Sequence, residues 1–139
     1  MRGNCINIKG NITRDAEIRH TNSGRIVASW GIAWNSSRKN ANGDFEDVAH
    51  FFDVQCWMSG KQAQLVQGDL VKGARCAIVD GHLEQQRWEK DGQNHSRVVV
   101  CVDDPINGLL VFPPNGKHAG AESYEPIQDG YEPYSDIPF

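Results

Sequence analysis

The sequence lacks the features that mark several common protein classes. No apolar run approaches the roughly 20 residues that a membrane-spanning helix needs, and the first residues, MRGNCINIKGN, lack the apolar stretch of a secretory signal. A G-x-S-x-G motif and a phosphate-binding glycine loop are also missing, and the 5 histidines are scattered. We therefore expect a cytoplasmic protein with no membrane segment, no cofactor and no catalytic residues.

Cysteine is scarce, and its spacing argues against a metal site. The 4 cysteines, Cys5, Cys56, Cys76 and Cys101, form no C-x-x-C pair and have no histidine at zinc-finger spacing. Each lies in an apolar or alternating stretch, which is typical of small buried side chains that the cytoplasm keeps reduced. The sequence thus predicts four buried thiols and no bound metal.

An excess of positive charge is absent too, and the charges are unevenly distributed. The net charge is −4, yet residues 1–111 contain 13 Lys and Arg against 13 Asp and Glu, whereas residues 112–139 contain 1 against 5. This last segment, FPPNGKHAGAESYEPIQDGYEPYSDIPF, is rich in proline, glycine and acids and shows neither helical nor strand periodicity. We predict a globular domain over residues 1–111 and a disordered acidic tail over residues 112–139.

The first segment contains short β-like runs separated by turn signals. The five runs are NCINIKGNI, RIVASWGIAW, AHFFDVQCW, RCAIVDGHLEQQRW and SRVVVCV. Two hairpins are indicated by NANGD and EKDGQN, which carry an Asn-Gly or Asp-Gly pair suited to positive φ. Between the third and fourth runs, SGKQAQLVQGDLVKG predicts one helix from about Ser59 to Gly73, with Ala63, Val66 and Leu70 on one side. This order predicts an all-β OB-fold, a five-stranded Greek-key barrel with one short helix.

Alternation along the strands sorts the aromatic residues, because successive side chains point to opposite faces. Phe51 and Trp57 in the third run and Trp88 in the fourth share a face with polar residues. These polar faces consist of Phe51, Asp53, Gln55 and Trp57 and of Asp80, His82, Glu84, Gln86 and Trp88. Exposed rings can stack on bases of any identity, at about 1 to 3 kcal/mol per base. The alternative is that these rings pack beneath a loop or in a subunit interface.

The opposite faces predict the core. They consist of Ile26, Ala28, Trp30, Ile32 and Trp34 in the second run, Phe52, Val54 and Cys56 in the third, and Ala77, Val79 and Leu83 in the fourth. Because Trp34 continues the apolar face of Trp30, we expect both rings to be buried. Trp34 ends its strand, and we therefore also keep it as a candidate base-stacking residue.

Basic residues that flank strands or lie in loops complete the candidate surface. They are Arg14, Arg38, Lys39, Lys61, Lys72, Arg75, Arg87, Lys90 and Arg97. Each alone is typical of a solvated surface charge. Together with exposed rings, they suit a nucleic acid whose phosphates are bound by charge and whose bases are held by stacking, with little sequence readout.

Four motifs make the sequence resemble the bacterial single-stranded-DNA-binding proteins: GNITRDAEIRHTNSG, FFDVQCW followed by GKQA, VDGHLEQQRWEKDGQ and the terminal DIPF. The resemblance implies an OB-fold, usually a homotetramer around which single-stranded DNA wraps, with roles in replication, recombination and repair. It places base-stacking residues at Phe51, Trp57 and Trp88. It also puts Arg38 where the family usually has an aromatic residue, so that a guanidinium would lie on the base there.

The end of the tail is unusual because apolar residues follow a solvated segment. It consists of Asp136, Ile137, Pro138 and Phe139. A terminal Phe ring can fill an apolar pocket on a partner while the acids steer the segment toward basic surfaces. We expect this tip to bind other proteins of DNA metabolism, and a role in solubility alone is the alternative. An OB-fold that binds RNA or oligosaccharide, or that serves mainly as a protein-interaction adaptor, also remains open.

Overall fold

The computed structural model of the protein describes residues 3–114. The strands are β1 (Ile6–His20), β2 (Ile26–Lys39), β3 (Phe45–Met58), β4 (Arg75–Lys90), β5 (Gln93–Val102) and β6 (Leu109–Phe112), and α1 (Gly60–Val66) with a 3₁₀ helix (Gln67–Asp69) joins β3 to β4. The predicted acidic tail and its tip lie outside the described residues from position 115 onward. Within residues 3–114, no helix has the length and apolar character needed to cross a membrane.

The strands form one sheet that closes on itself. Their order is β1-β2-β3-β5-β4-β6, and β1 also pairs with β4, which closes the sheet into a ring. Neighbouring strands are antiparallel except for β3 and β5, since the chain passes through α1 and β4 between these two strands. A closed ring with one helix between β3 and β4 is the predicted OB-fold. The short strand β6, which pairs with the start of β4, is an addition to the five predicted runs.

Alternation on β2 and β3 builds the centre of the core. Ala28 and Trp30 on β2 and Val54 and Cys56 on β3 are buried. The strand pairing places Trp30 opposite Val54 and Ala28 opposite Cys56, so the two apolar faces meet on one side of the sheet. Burial of Trp30 is therefore confirmed. Removing a large apolar side chain such as that of Val54 from water supplies about 1.5 to 3 kcal/mol.

Three of the four cysteines are buried, as predicted. Burial raises the pKa of Cys56 to about 12 and that of Cys76 to about 11, so both thiols stay protonated and unreactive at neutral pH. Cys101 is also buried. The prediction is wrong for Cys5, which is exposed because it precedes β1 and so lies outside the paired part of the sheet.

Both predicted hairpin turns are present. Asp91 and Gly92 join β4 to β5 with φ values of 53° and 76°, and Gly43, with a φ of 85°, lies in the turn between β2 and β3. Positive φ at both central residues is the geometry for which Asp-Gly is favoured in two-residue hairpin loops. The Asp91-Gly92 turn fixes the register of β4 against β5, with Lys90 opposite Gln93.

The predicted helix is present but shorter than expected. Ser59 caps α1: its side chain accepts a hydrogen bond from the Gln62 backbone, and the Gln62 side chain accepts one from the Ser59 backbone. The α-helix ends at Val66 and continues as a 3₁₀ turn that contains Gly68. A glycine in a helix interior makes the helix about 1 kcal/mol less stable than an alanine there would. This explains why the helix does not reach Gly73. Ala63 is buried on the predicted side.

Strict alternation fails in β4 because of a β-bulge. Ile6 pairs with Gly81 and Ile8 with Ile78, so β4 has one extra residue in this stretch. A bulge reverses which side chains face the core. Ile78 is therefore buried, whereas Val79, which we expected to be buried, is exposed. The prediction for Val79 is wrong for this reason.

Three other side chains assigned to the core lie at its edge. Trp34 is 43%, Leu83 41% and Phe52 36% exposed. Pairing of β1 with β2 extends only to Ala33, and pairing of β3 with β5 begins at Asp53. Beyond these points β2 and β3 form a two-stranded arm that no third strand covers, so Trp34 and Phe52 remain exposed where the arm begins. Leu83 lies two residues beyond Gly81, the last residue of β4 that pairs with β1. The predictions that Trp34, Phe52 and Leu83 are buried are therefore wrong.

Candidate nucleic-acid interface

The candidate surface is the outward side of β3, β4 and β5. Phe51 and Trp57 on β3 are 72% and 45% exposed, and Trp88 on β4 is 45% exposed. Asp53 and Gln55 lie between the two β3 rings on the same side of the strand and are half-buried. We call this surface, defined by Phe51, Asp53, Gln55, Trp57 and Trp88, the aromatic face. Its rings are exposed as alternation predicts, on a sheet whose other side is core.

Trp88 is held in place by two residues of β5. The ring of His95, directly opposite in the strand pairing, stacks on it with centroids 5.6 Å apart and an interplanar angle of 18°. The guanidinium of Arg97 lies 5.9 Å from the Trp88 ring centroid. His95 was not predicted from the sequence. Counting residues outward from the Asp91-Gly92 turn along both strands would have placed it opposite Trp88.

Trp57 is also accompanied by a positive charge. The guanidinium of Arg25 lies 5.3 Å from the Trp57 ring centroid. Arg25 directly precedes β2, whose Val27 pairs with Trp57, so the β2–β3 register brings the two side chains together. Such a cation–π contact contributes about 0.5 to 1 kcal/mol at an exposed site. Arg25 was absent from the predicted basic set, because its position beside Trp57 depends on this register.

Asp53 connects two predicted arginines across the face. Its Oδ1 lies 3.4 Å from Nη2 of Arg14, and its Oδ2 lies 3.9 Å from Nη1 of Arg97. Arg14 on β1 pairs with Gly31 on β2, and a Cβ at Gly31 would lie 2.5 Å from Nη1 of Arg14. The missing side chain of Gly31 therefore lets Arg14 cross β2 and reach β3.

Arg97 is fixed by further hydrogen bonds. Its Nε donates to Oε1 of Gln86 at 3.0 Å, and Nε2 of Gln86 donates to Oε1 of Gln55 at 2.7 Å. Arg97 thus contacts Asp53, Gln86 and the Trp88 ring at once. A guanidinium with a preset orientation loses little conformational freedom when it binds an anion.

The other predicted basic residues are exposed and spread over the barrel. Arg87 is next to Trp88 on β4 and donates to Oε1 of Gln85 at 2.7 Å. On the arm, Nε of Arg38 lies 3.1 Å from Oε1 of Glu46. Among the described hydrogen bonds and ion pairs, none joins the side chains of the remaining predicted residues to the aromatic face. These are Lys39, Lys61, Lys72, Lys90 and Arg75.

Trp34 belongs to a different surface. Its ring makes a tilted contact with His50, with centroids 5.2 Å apart. It lines a groove of about 460 Å³ formed by β1, β2, β4 and β6, together with Arg75 and Phe112. The structure therefore places Trp34 and Arg75 together, away from the aromatic face. Their groove lies along the edge of β2 that pairs with β1, whereas the aromatic face begins on β3, at the other edge of β2.

A polar cluster lies along the same outward side of β4 and β5. Nε2 of His82 is 2.9 Å from Oε1 of Glu84, and its Nδ1 is 2.7 Å from Oδ1 of Asp103. Hydrogen bonds to Glu84 and Asp103 raise the pKa of His82 above its ordinary value. Cys101 lies opposite His82, and burial, with the nearby Glu84 carboxylate, raises the pKa of its thiol to about 12. His82 and Glu84 come from β4, Cys101 from β5 and Asp103 from the residue after β5, so no local sequence motif marked them.

Residues 4–106 match the single-strand binding protein family. The chain belongs to this family. The single-stranded DNA-binding protein of Aquifex aeolicus (strain VF5) is 35% identical over 132 residues, which cover 93% of this chain and 86% of that protein. The single-stranded DNA-binding protein of Treponema pallidum (strain Nichols) is 37% identical over 99 residues, which cover 71% of this chain but 54% of that protein. The match thus spans about half the length of the Treponema relative.

Solved structures of the family have the same fold. The Plasmodium falciparum SSB in complex with ssDNA superposes with a TM-score of 0.66 at 18% identity, covering 80% of this chain and 94% of that one. The wild-type single-stranded DNA binding protein of Thermus aquaticus superposes with a TM-score of 0.62 at 25% identity, covering 81% of this chain and 52% of that one. These similarities confirm the predicted OB-fold.

Proposed function

We propose that the protein binds single-stranded DNA through the aromatic face, without strong sequence preference. The observation that carries this proposal is the grouping of three exposed rings, Phe51, Trp57 and Trp88, around guanidinium groups on one side of the sheet. Each ring can stack on a base of any identity. Membership of the single-strand binding family and the ssDNA bound by the Plasmodium falciparum protein support the same ligand.

The arginines beside the rings suit the phosphates between stacked bases. Arg25 lies over Trp57 and Arg97 over Trp88, so a strand stacked on either ring passes close to a positive charge. Arg14 adds a third charge at Asp53. The outlying candidates would contact only a strand that continues around the barrel. They are Trp34, Arg38, Lys39, Lys61, Lys72, Lys90 and Arg75. Arg87 instead lines the surface around Trp88 and Arg97. Binding by charge predicts an affinity that falls as salt rises.

Titration with oligo-dT while tryptophan emission is recorded tests the proposal. Stacking should quench the emission, and Trp57→Ala or Trp88→Ala should each weaken binding by about 5- to 150-fold, the equivalent of about 1 to 3 kcal/mol per base. Phe112→Ala is the matched control, because it removes a half-exposed ring that lies in the Trp34 groove and not on the aromatic face.

Unchanged affinity and unchanged quenching in both tryptophan variants would refute the assignment of the aromatic face. Duplex DNA should bind far more weakly, since its bases are not free to stack. Equal or tighter binding of oligo-U would favour RNA as the ligand. An adaptor without nucleic-acid binding would show no salt-sensitive titration with any strand.

The tail tip, which lies outside the described residues, is proposed as a docking segment for replication, recombination and repair proteins. The support is its sequence, in which Ile137, Pro138 and Phe139 follow Asp136 and a solvated acidic stretch. Deleting residues 137–139 should leave oligo-dT affinity intact or slightly higher and abolish recovery of helicases, exonucleases or polymerase subunits from an extract of the source cell. Recovery of the same partners by both proteins would contradict this role.

We also propose that the protein forms a homotetramer in the cytoplasm, associated with the nucleoid. The family resemblance supports this assembly, and the start of the first strand, around Cys5 to Ile8, where Cys5 and Asn7 are exposed, is a candidate contact. Sedimentation at micromolar concentration should give about four times the chain mass of 15.5 kDa. A species at the single-chain mass alone would refute the assembly.

A further inference from the structure

We propose that His82, Glu84 and Cys101 bind one Zn²⁺ ion, with Asp103 orienting the histidine. Each of the three offers one ligand atom, and these atoms all lie within 4.8 Å of one another. The site adjoins the aromatic face, because Cys101 pairs with Gln55, but none of its three ligands is a stacking ring. It also departs from the sequence-based expectation of no metal, because its ligands meet across two strands instead of within a spaced motif.

The sheet backbone fixes the ligand positions. His82 and Glu84 are two residues apart on β4 and so lie on the same side of that strand. Cys101 on β5 is paired directly with His82. Ligands placed on paired strands need little rearrangement before they bind a metal, unlike ligands on loops.

The distance between His82 and Glu84 suits tetrahedral coordination after a small shift. Zinc bonds of about 2.0 Å to nitrogen and oxygen and about 2.3 Å to sulfur place tetrahedral ligand atoms about 3.3 to 3.6 Å apart. Nε2 of His82 and Oε1 of Glu84 are now 2.9 Å apart. The Glu84 side chain is 56% exposed, so it can retreat by the missing fraction of an ångström without disturbing the core.

Asp103 supplies the support that metal-binding histidines commonly have. Its Oδ1 lies 2.7 Å from Nδ1 of His82, which leaves Nε2, 2.9 Å from Oε1 of Glu84, as the nitrogen for the metal. A carboxylate on the second ring nitrogen selects the tautomer and the ring orientation that ligation requires. His82 therefore offers Nε2 to the metal on the side where Glu84 lies.

The ligand set selects zinc over the hard divalent cations. A thiolate and an imidazole favour Zn²⁺, whereas Mg²⁺ and Ca²⁺ bind sites made of oxygen atoms. On binding, the sulfur of Cys101 forms the Zn–S bond and its proton passes to solvent, and a water molecule fills the fourth position. The ion would link β4 to the end of β5.

Titration of the metal-free full-length protein with Co²⁺, followed by competition with Zn²⁺, tests the site. We expect one Co²⁺ per chain, the visible absorption of a tetrahedral site and a thiolate-to-cobalt charge-transfer band, all abolished by Zn²⁺. Cys101→Ser should remove the charge-transfer band and weaken metal binding at least tenfold, and Asp103→Asn should weaken it by about 10- to 100-fold. Cys5→Ser and His20→Gln are matched controls and should leave the titration unchanged.

Glu84→Gln provides a second test should the buried Cys101→Ser variant fold poorly. It changes an exposed side chain and should also weaken binding at least tenfold while the circular dichroism spectrum stays that of the parent protein. The proposal is overturned if the parent protein shows no charge-transfer band, if Cys5→Ser removes that band, or if folded Cys101→Ser and Glu84→Gln bind metal as tightly as the parent.

Discussion

Replacing Asp53 with asparagine should strengthen the proposed binding to single-stranded DNA and make it more sensitive to salt. The Asp53 carboxylate lies 3.4 Å from the Arg14 guanidinium and 3.9 Å from that of Arg97, in the middle of the aromatic face. A phosphate must compete with this carboxylate for both arginines. Asparagine keeps the size of the side chain and removes its charge.

The magnitude follows from the two contacts. For single strands, each added phosphate contact steepens the slope of log K against log salt by about 0.7, so release of both arginines steepens it by up to about 1.4. A carboxylate about 4 Å from a phosphate charge costs about 1 kcal/mol in water, about fivefold in affinity at low salt. Both ion pairs are about half exposed, so the free energy of unfolding should change by less than about 1 kcal/mol.

The assay is an oligo-dT titration of Asp53→Asn and the parent protein at several salt concentrations. Asp69→Asn is the matched control, because it removes the same charge from the 3₁₀ helix, outside the aromatic face. A salt slope equal to that of the parent would mean that neither arginine reaches a phosphate. Weaker binding by Asp53→Asn would mean that the carboxylate positions the arginines and does not compete with DNA for them.

Two further substitutions test the barrel itself. Gly10→Ala should lower the free energy of unfolding by about 1 to 3 kcal/mol, because the new Cβ would lie 2.6 Å from the backbone oxygen of Ala33, and an unchanged midpoint in urea would contradict this. Asp104 accepts hydrogen bonds from the backbone of Ile106 and Asn107, which lower its pKa from 3.8; its stabilising effect is therefore present above pH 3.8 and lost as pH falls through the lowered pKa. Asp104→Ala should be less stable than the parent in urea at pH 7 and equally stable once the carboxylate is protonated, and a difference that persists in acid would exclude this origin.

The parts of the fold that local chemistry decides were predictable from the sequence. The Asp91-Gly92 pair demands a two-residue turn because only such residues readily accept positive φ at both positions. Ser59 and Gln62 form a capping box that starts the helix where it was expected. Alternation in β3 separated the buried Val54 from the exposed Trp57, because this part of the strand is paired on both sides.

Burial at strand ends and in irregular strands was not predictable in the same way. Trp34 continues the apolar face of Trp30, yet it lies one residue beyond the last pairing of β2 with β1, so it is only partly covered and stays 43% exposed. Val79 is exposed because a bulge shifts the alternation of β4 by one residue. In both cases the apolar pattern of the sequence is regular, and the exposure depends on how the strand is paired with its neighbours.

Contacts across strands depend on the strand register and on whether the residue between the two partners has a side chain. Arg14 and Asp53 are 39 positions apart in the chain, and they meet because Gly31 on the intervening strand leaves space for a guanidinium. Arg25 reaches Trp57 only through the β2–β3 register. The set of basic residues near the rings is therefore selected by strand pairing, and it includes one arginine that composition gave no reason to choose. For the same reason the net charge of −4 carries little information about this surface: what matters for binding a phosphate backbone is which guanidinium groups the sheet places beside exposed rings.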